Sequence, residues 1–107
     1  MKSQAQAVVI GGGVVGASVL YHLTEAGWTD VVLLERRHLT AGSTWHAAGG
    51  MHTINGDPNV AAPQRYTVQL YQDLETRSAE SRGSHPTGAV MLADDTDRLA
   101  RLPTTHP

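Results

Sequence analysis

The chain has 107 residues, a formal net charge of -2, 11 glycines and no cysteine. That length allows one small domain with a modest core, and without cysteine there are no disulfides, iron–sulfur clusters, thiolate nucleophiles or cysteine-ligated zinc. The slight acidic balance argues against nucleic acid or an anionic membrane as partner, since both favour a basic excess, and points to a small molecule.

Met1 to Ala7 is too short for a targeting peptide, and no apolar run approaches the ~20 residues of a membrane span. The expected location is cytoplasmic. After a polar lead-in from Lys2 to Gln6, the run Ala7-Val8-Val9-Ile10 is β-branched and ends at glycine, the pattern of a central parallel strand buried on both faces. From Val14 the period changes: Gly16, Leu20, Leu23 and Gly27 share one helical stripe, and Gly27 stops the helix. Val31 to Leu34 is a second apolar run, predicted to pair parallel with the first because a helix separates them.

Beyond Glu35, Ser43 or Thr44 is expected to cap a short helix carrying Trp45 to Ala48. Met51 to Asn59 reads as an ordered loop ending at Asp57-Pro58-Asn59. Val60 to Arg82 is predicted to be mostly helical, with Tyr66, Val68, Leu70, Tyr71 and Leu74 as its buried stripe. Pro63 must then lie in the first turn, or the helix must begin after it. Gly88 to Ala93 reads as a short strand, Asp94 and Asp95 as a turn, and Thr96 to Leu102 as a helix failing at Pro103. The last five residues lack periodicity and read as a disordered tail or a truncation, leaving 1–102 as a partial domain.

The motif Gly11-x-Gly13-x-x-Gly16 carries the chemistry. Its first glycine permits a tight turn out of the strand, its second lets a pyrophosphate approach the backbone, and its third lets helix and strand pack closely. The amides of the following helical turn, with the helix dipole, favour an anion there. A lone glycine fingerprint is weak. Here it follows a strand, opens a helix, and has Glu35 about 20 residues on, where an acid accepts hydrogen bonds from ribose hydroxyls. Arg36 and Arg37 raise the case of a 2′-phosphate, which Glu35 would repel, so NADP is the weaker choice. NAD and FAD stay undecided on the fingerprint.

The later residues resemble a known family. Gly11-Gly12-Gly13-Val14-Val15-Gly16, Gly27-Trp28-Thr29-Asp30-Val31-Val32-Leu33-Leu34-Glu35-Arg36 and Leu39-Thr40-Ala41-Gly42-Ser43-Thr44-Trp45-His46-Ala47-Ala48-Gly49 resemble the N-terminal flavin region of the dimethylglycine and sarcosine dehydrogenase family, among the D-amino-acid-oxidase-like flavoproteins. The similarity runs through Gly56-Asp57-Pro58 to about Leu99. It implies an α/β fold, the opening β-α-β of a Rossmann-like FAD-binding domain with an incomplete parallel sheet.

The resemblance also implies FAD contacts at Gly11, Gly13, Val14, Val15, Gly16, Glu35, Arg36, Gly42, Ser43, Thr44, Trp45, His46, Ala47, Ala48, Gly49 and Gly50. His46 occupies the position where such proteins join the flavin covalently through its 8α-methyl carbon. Imidazole suits that role, because its unperturbed pKa near ~6.5 leaves a neutral nucleophile at pH 7. Read without the family, His46 is a hydrogen-bonded histidine in a Gly/Ala loop. The implied activity is oxidation of an N-methyl amine by hydride transfer to flavin, giving an imine that is hydrolysed or captured by tetrahydrofolate in a full-length protein. The 107 residues alone are expected to be inactive.

Other candidates are plainer. His38, His46 and His52 have no metal-ligand spacing. His22 reads as a helix-surface residue, His85 as a loop residue, and Asp94, Asp95 and Asp97 as a solvated turn and cap. No catalytic acid, base or nucleophile can be named. Two further readings stand beside the flavoenzyme: a noncatalytic, truncated nucleotide-binding remnant, and an NAD-binding dehydrogenase domain.

Overall fold

Residues 3–81 and 83–102 are described by the computed structural model. The expectations for Lys2, for a helix end at Arg82 and for the Pro103–Pro107 tail fall outside them. The chain divides into two units, Met1–Gly49 and Gly50–Pro107.

In the first unit, Ala7–Ile10 forms β1, Val14–Glu25 forms α1 and Val31–Leu34 forms β2. The strands are parallel and in register, Ala7 opposite Val31 through Ile10 opposite Leu34. This is the opening β-α-β of a Rossmann-like domain, with a two-stranded sheet among the described residues. Pairing extends past both strand ends: the Gln6 amide donates to the Asp30 carbonyl at 2.9 Å, and the Gly11 amide to that of Leu34 at 2.8 Å.

Helix α1 ends as its glycine foretells. Gly27 adopts φ 88°, its amide bonds the Thr24 carbonyl, and the Trp28 amide bonds that of Leu23, both at 3.0 Å. This paired closure satisfies the last helical carbonyls and turns the chain back toward β1.

The expectation that β1 is buried on both faces is corrected. Ala7 and Val9 are half-buried, whereas Val8 is 51% and Ile10 84% exposed. Side chains alternate across a strand, and in this unit α1 covers one sheet face.

In the second unit, α2 spans Pro58–Ser78. Asp57, Pro58 and Asn59, read as the end of a loop, instead begin this helix. The Asp57 carboxylate accepts from the Asn59 amide at 2.8 Å, and Pro58 takes the first helical position, where its missing N–H costs nothing. Pro63 is therefore in the second turn, beyond the expected first, and leaves the carbonyl four residues back without its helical donor. Val68, Leu70, Tyr71 and Leu74 are half-buried as expected, but Tyr66 is 53% exposed.

Gly88 to Ala93 is not a strand. Val90 and Leu92 are 87% and 85% exposed, and the sheet among the described residues consists of β1 and β2. Helix α3 spans Thr96–Arg101, with the Asp95 carboxylate accepting from the Arg98 amide at 2.6 Å. Among the described residues no helix is long and apolar enough to cross a membrane.

Candidate functional site

Steric need explains the glycines of the fingerprint. Gly11 turns out of β1 at φ 107°, a left-handed conformation that favours glycine. A Cβ on Gly16 would collide with the Gly11 carbonyl oxygen, so only glycine lets α1 start this close to the strand. A Cβ on Gly13 would stand 2.9 Å from Thr44 Oγ1.

The intervening Gly12, a free position in the motif, is as constrained as its neighbours. It is buried, and a Cβ there would meet Leu39 Cδ2 at 2.6 Å and Glu35 Cβ at 3.1 Å. Its amide donates to Glu35 Oε2 at 2.7 Å, and its carbonyl accepts from the Thr40 amide at 2.9 Å. Thr40 sits at φ 65°, which a β-branched residue rarely adopts. Gly12, Leu39 and Thr40 belong to the blocks that carry the family resemblance but not to the implied FAD contacts. The unbroken Gly-Gly-Gly run was the available signal.

Glu35 lies at the end of β2, as expected of an adenosine-facing acid. Its second oxygen accepts from the Arg37 amide at 2.8 Å. Hydrogen bonds from Gly12 first, then Arg37, hold its carboxyl below the ordinary value of 4.5, aided by the Arg36 amide and charge. With three amides facing the carboxylate, one of its lone-pair sites is left for a ribose hydroxyl.

Ser43–His46 forms a 3-10 turn, one residue or two earlier than the helix expected for Trp45 to Ala48. Gly42 occupies its cap position, and neither Ser43 nor Thr44 caps the turn. Thr44 caps another element: its Oγ1 accepts from the Val14 amide at 2.9 Å across a separation of 30 residues. Val14 opens α1, and its amide has no intrahelical acceptor. Gly13 cannot supply a side-chain oxygen.

The Trp45 and His46 rings lie 4.0 Å apart between centroids, tilted by 37°. His46 Nδ1 is 3.2 Å from the Gly42 carbonyl oxygen. A carbonyl only accepts, so Nδ1 carries the hydrogen, and in the neutral ring the lone pair is then on Nε2. Ala47, Ala48 and Gly49 follow as exposed chain, and Gly50 begins the second unit.

An open cleft of roughly 420 Å³ beside the fingerprint brings together Gly11, Gly13, Val14, Val15, Gly16, Ser43 and Thr44, with Val9, Ile10 and Val19 as an apolar wall. Glu35, Arg36, Trp45 and His46 are outside its lining. The first turn of α1 itself carries no acidic side chain to oppose an anion at its positive end. Glycine cradle, helix terminus and adjacent carboxylate together fit a dinucleotide. Among the described residues no group of three or more His, Asp or Glu side chains is placed to hold a metal ion.

Residues 6–105 match the family described as FAD dependent oxidoreductase. The chain belongs to this family. It is 44% identical over 98 residues to the mitochondrial dimethylglycine dehydrogenase of Rattus norvegicus, covering 92% of this chain and 11% of that protein. Against the mitochondrial pyruvate dehydrogenase phosphatase regulatory subunit of Mus musculus it is 41% identical over 102 residues, 95% of this chain and 12% of the relative. Against the mitochondrial sarcosine dehydrogenase of Homo sapiens the identity is 36% over 100 residues, 92% and 11% of the two chains. The chain thus spans about a tenth of these relatives. The family is FAD-dependent, which favours FAD over NAD where the glycine fingerprint left the choice open.

Proposed function

We propose that this chain forms the dinucleotide-contacting part of an enzyme that oxidises an N-methyl amine of the dimethylglycine or sarcosine type. Bound flavin would supply the hydride acceptor. The fingerprint glycines and the first turn of α1 would hold its phosphates, Glu35 its ribose, and the segment from Gly42 to Gly50 would run along it. Identity to the rat and human dehydrogenases supports the amine class. The observation that carries the reading is the meeting of the Ser43–His46 turn with the start of α1, which makes the phosphate-binding terminus and the histidine turn one surface.

His46 is the proposed attachment point for the flavin: Nε2 would bond to the 8α-methyl carbon in place of one of its hydrogens, that hydrogen and the one on Nδ1 leaving as protons and two electrons passing to dioxygen. The bond of Nδ1 to Gly42 leaves Nε2 with its lone pair, and the exposed ring has room for a flat partner. A complete protein containing this sequence is expressed with flavin supply, denatured, and weighed. Wild type should carry one FAD mass and His46→Ala none; an adduct that persists in His46→Ala rejects the assignment. Loss of a noncovalent flavin absorption band from wild type would reject the cofactor site itself.

A noncatalytic reading has support of its own, in the 41% identity to a relative named a regulatory subunit. No described residue is placed as a substrate acid or base. Adding sarcosine or dimethylglycine anaerobically to a flavin-loaded complete protein separates the two: bleaching of the flavin band supports the oxidoreductase, and an unchanged band the noncatalytic protein. Tetrahydrofolate as a partner belongs to the first reading and is tested by its protection of the formaldehyde-level product. A cytoplasmic location is a separate proposal, and the mitochondrial names of the relatives make cell fractionation its test.

A further inference from the structure

We propose that Thr44 is a positioning residue, docking the Trp45–His46 turn onto the dinucleotide loop before any cofactor is present. The turn has little else to hold it. Its bonds from Ala47 to the Thr44 carbonyl and from His46 to the Gly42 carbonyl are internal, and Trp45 is 65% exposed. Among the described residues, the one hydrogen bond from Gly42–Gly49 to another part of the chain is that between Thr44 Oγ1 and the Val14 amide.

The arrangement serves both partners. Helix α1 begins at a residue without a side chain, and its first amide would otherwise depend on water; Thr44 supplies the missing cap oxygen from a distant loop. In return the backbone two residues before His46 is tied to the rigid start of the helix. Clamps at Gly12, from Glu35 and Thr40, bring the chain to this point, and Thr44 sets where it goes next. Acceptance from Val14 leaves the hydroxyl hydrogen unused, at a residue that lines the cleft.

Thr44→Val keeps the shape and removes the acceptor, and Thr44→Ser keeps the acceptor. In the cofactor-free full chain, hydrogen exchange at the Val14 amide should quicken at least about tenfold in Thr44→Val. It should stay near wild type in Thr44→Ser and in the control Thr24→Val at the far end of α1, while Leu20 and Leu23 amides stay protected in all. Equal Val14 exchange in wild type and Thr44→Val would overturn the proposal. If Thr44→Val unfolds, the wild-type nuclear Overhauser contact between the Val14 amide hydrogen and the Thr44 methyl decides: its presence supports docking and its absence overturns it.

A second arm rests on the flavin reading of His46. At saturating FAD, Thr44→Val should form the covalent adduct at least about tenfold more slowly than wild type, with Thr44→Ser restoring the rate. Equal losses in both would overturn positioning. Absence of an adduct in wild type, with the exchange result intact, rejects attachment and leaves docking standing.

Discussion

Two apolar runs bounded by glycine carry the same local signal and meet different ends. Ala7–Ile10 becomes β1, whereas Gly88 to Ala93 stays irregular with its large side chains in solvent. The first is followed by a helix whose glycine closure returns the chain, so that Val31–Leu34 is delivered beside it. The second is followed by Asp94, Asp95 and the short polar α3, and among the described residues no strand pairs with it. A strand is a property of a pair, because its backbone donors and acceptors need partners.

The largest way to break this contrast is at Gly16. Gly16→Ala forces a Cβ against the Gly11 carbonyl and should cost about 3 kcal/mol or more, the upper range for overpacking, with loss of the first unit's unfolding transition in urea. Gly88→Ala, at φ 72° with open space around it, should cost only about 1 kcal/mol. Comparable urea midpoints for the two variants would refute the steric account.

Next, Val9→Ala removes a half-buried side chain that lies toward Gly16 and α1 and should cost about 1–2 kcal/mol. Ile10→Ala, on the uncovered face, should cost less than about 0.5 kcal/mol. Thermal melts that rank the two in the opposite order would mean that the uncovered face is the one that packs.

A smaller, pH-dependent effect belongs to Glu35. Its folded carboxyl titrates below 4.5 because Gly12 and Arg37 amides stabilise the charged form. Its contribution is therefore present above the unfolded value and lost as pH falls through the lowered folded value. Unfolding midpoints recorded from about pH 6 to about pH 3 should fall in wild type and fall less in Glu35→Gln; parallel curves would show that the carboxylate holds nothing. Smallest of all, Val90→Thr should change stability by no more than about 0.5 kcal/mol, and a larger loss would reveal a partner for that run.

Much of the fold was legible. Strand bounds at Ala7–Ile10 and Val31–Leu34, and a helix stopped by Gly27, follow from periodicity and glycine chemistry because their causes are local. Helix α2 was shifted, since Asp57-Pro58 is both a loop ending and a helix beginning, and only the Asp57 bond to Asn59 distinguishes them. Of the candidate site, Gly11, Gly13, Gly16 and Glu35 occupy the elements expected of them. The contact between Leu39 and Gly12 was not legible, because it depends on where the loop after β2 folds back.

Sequence alone determined the β-α-β order, the glycine turn, the carboxylate at the end of β2 and the family resemblance, since these rest on residue type and spacing along the chain. Tertiary structure decided what those spacings cannot encode: that β1 has one uncovered face, that Glu35 grips Gly12, and that Thr44 caps a helix starting 30 residues earlier instead of its own turn. Each is a contact between distant segments, and a hydroxyl accepts from whichever unpaired amide the fold brings near it.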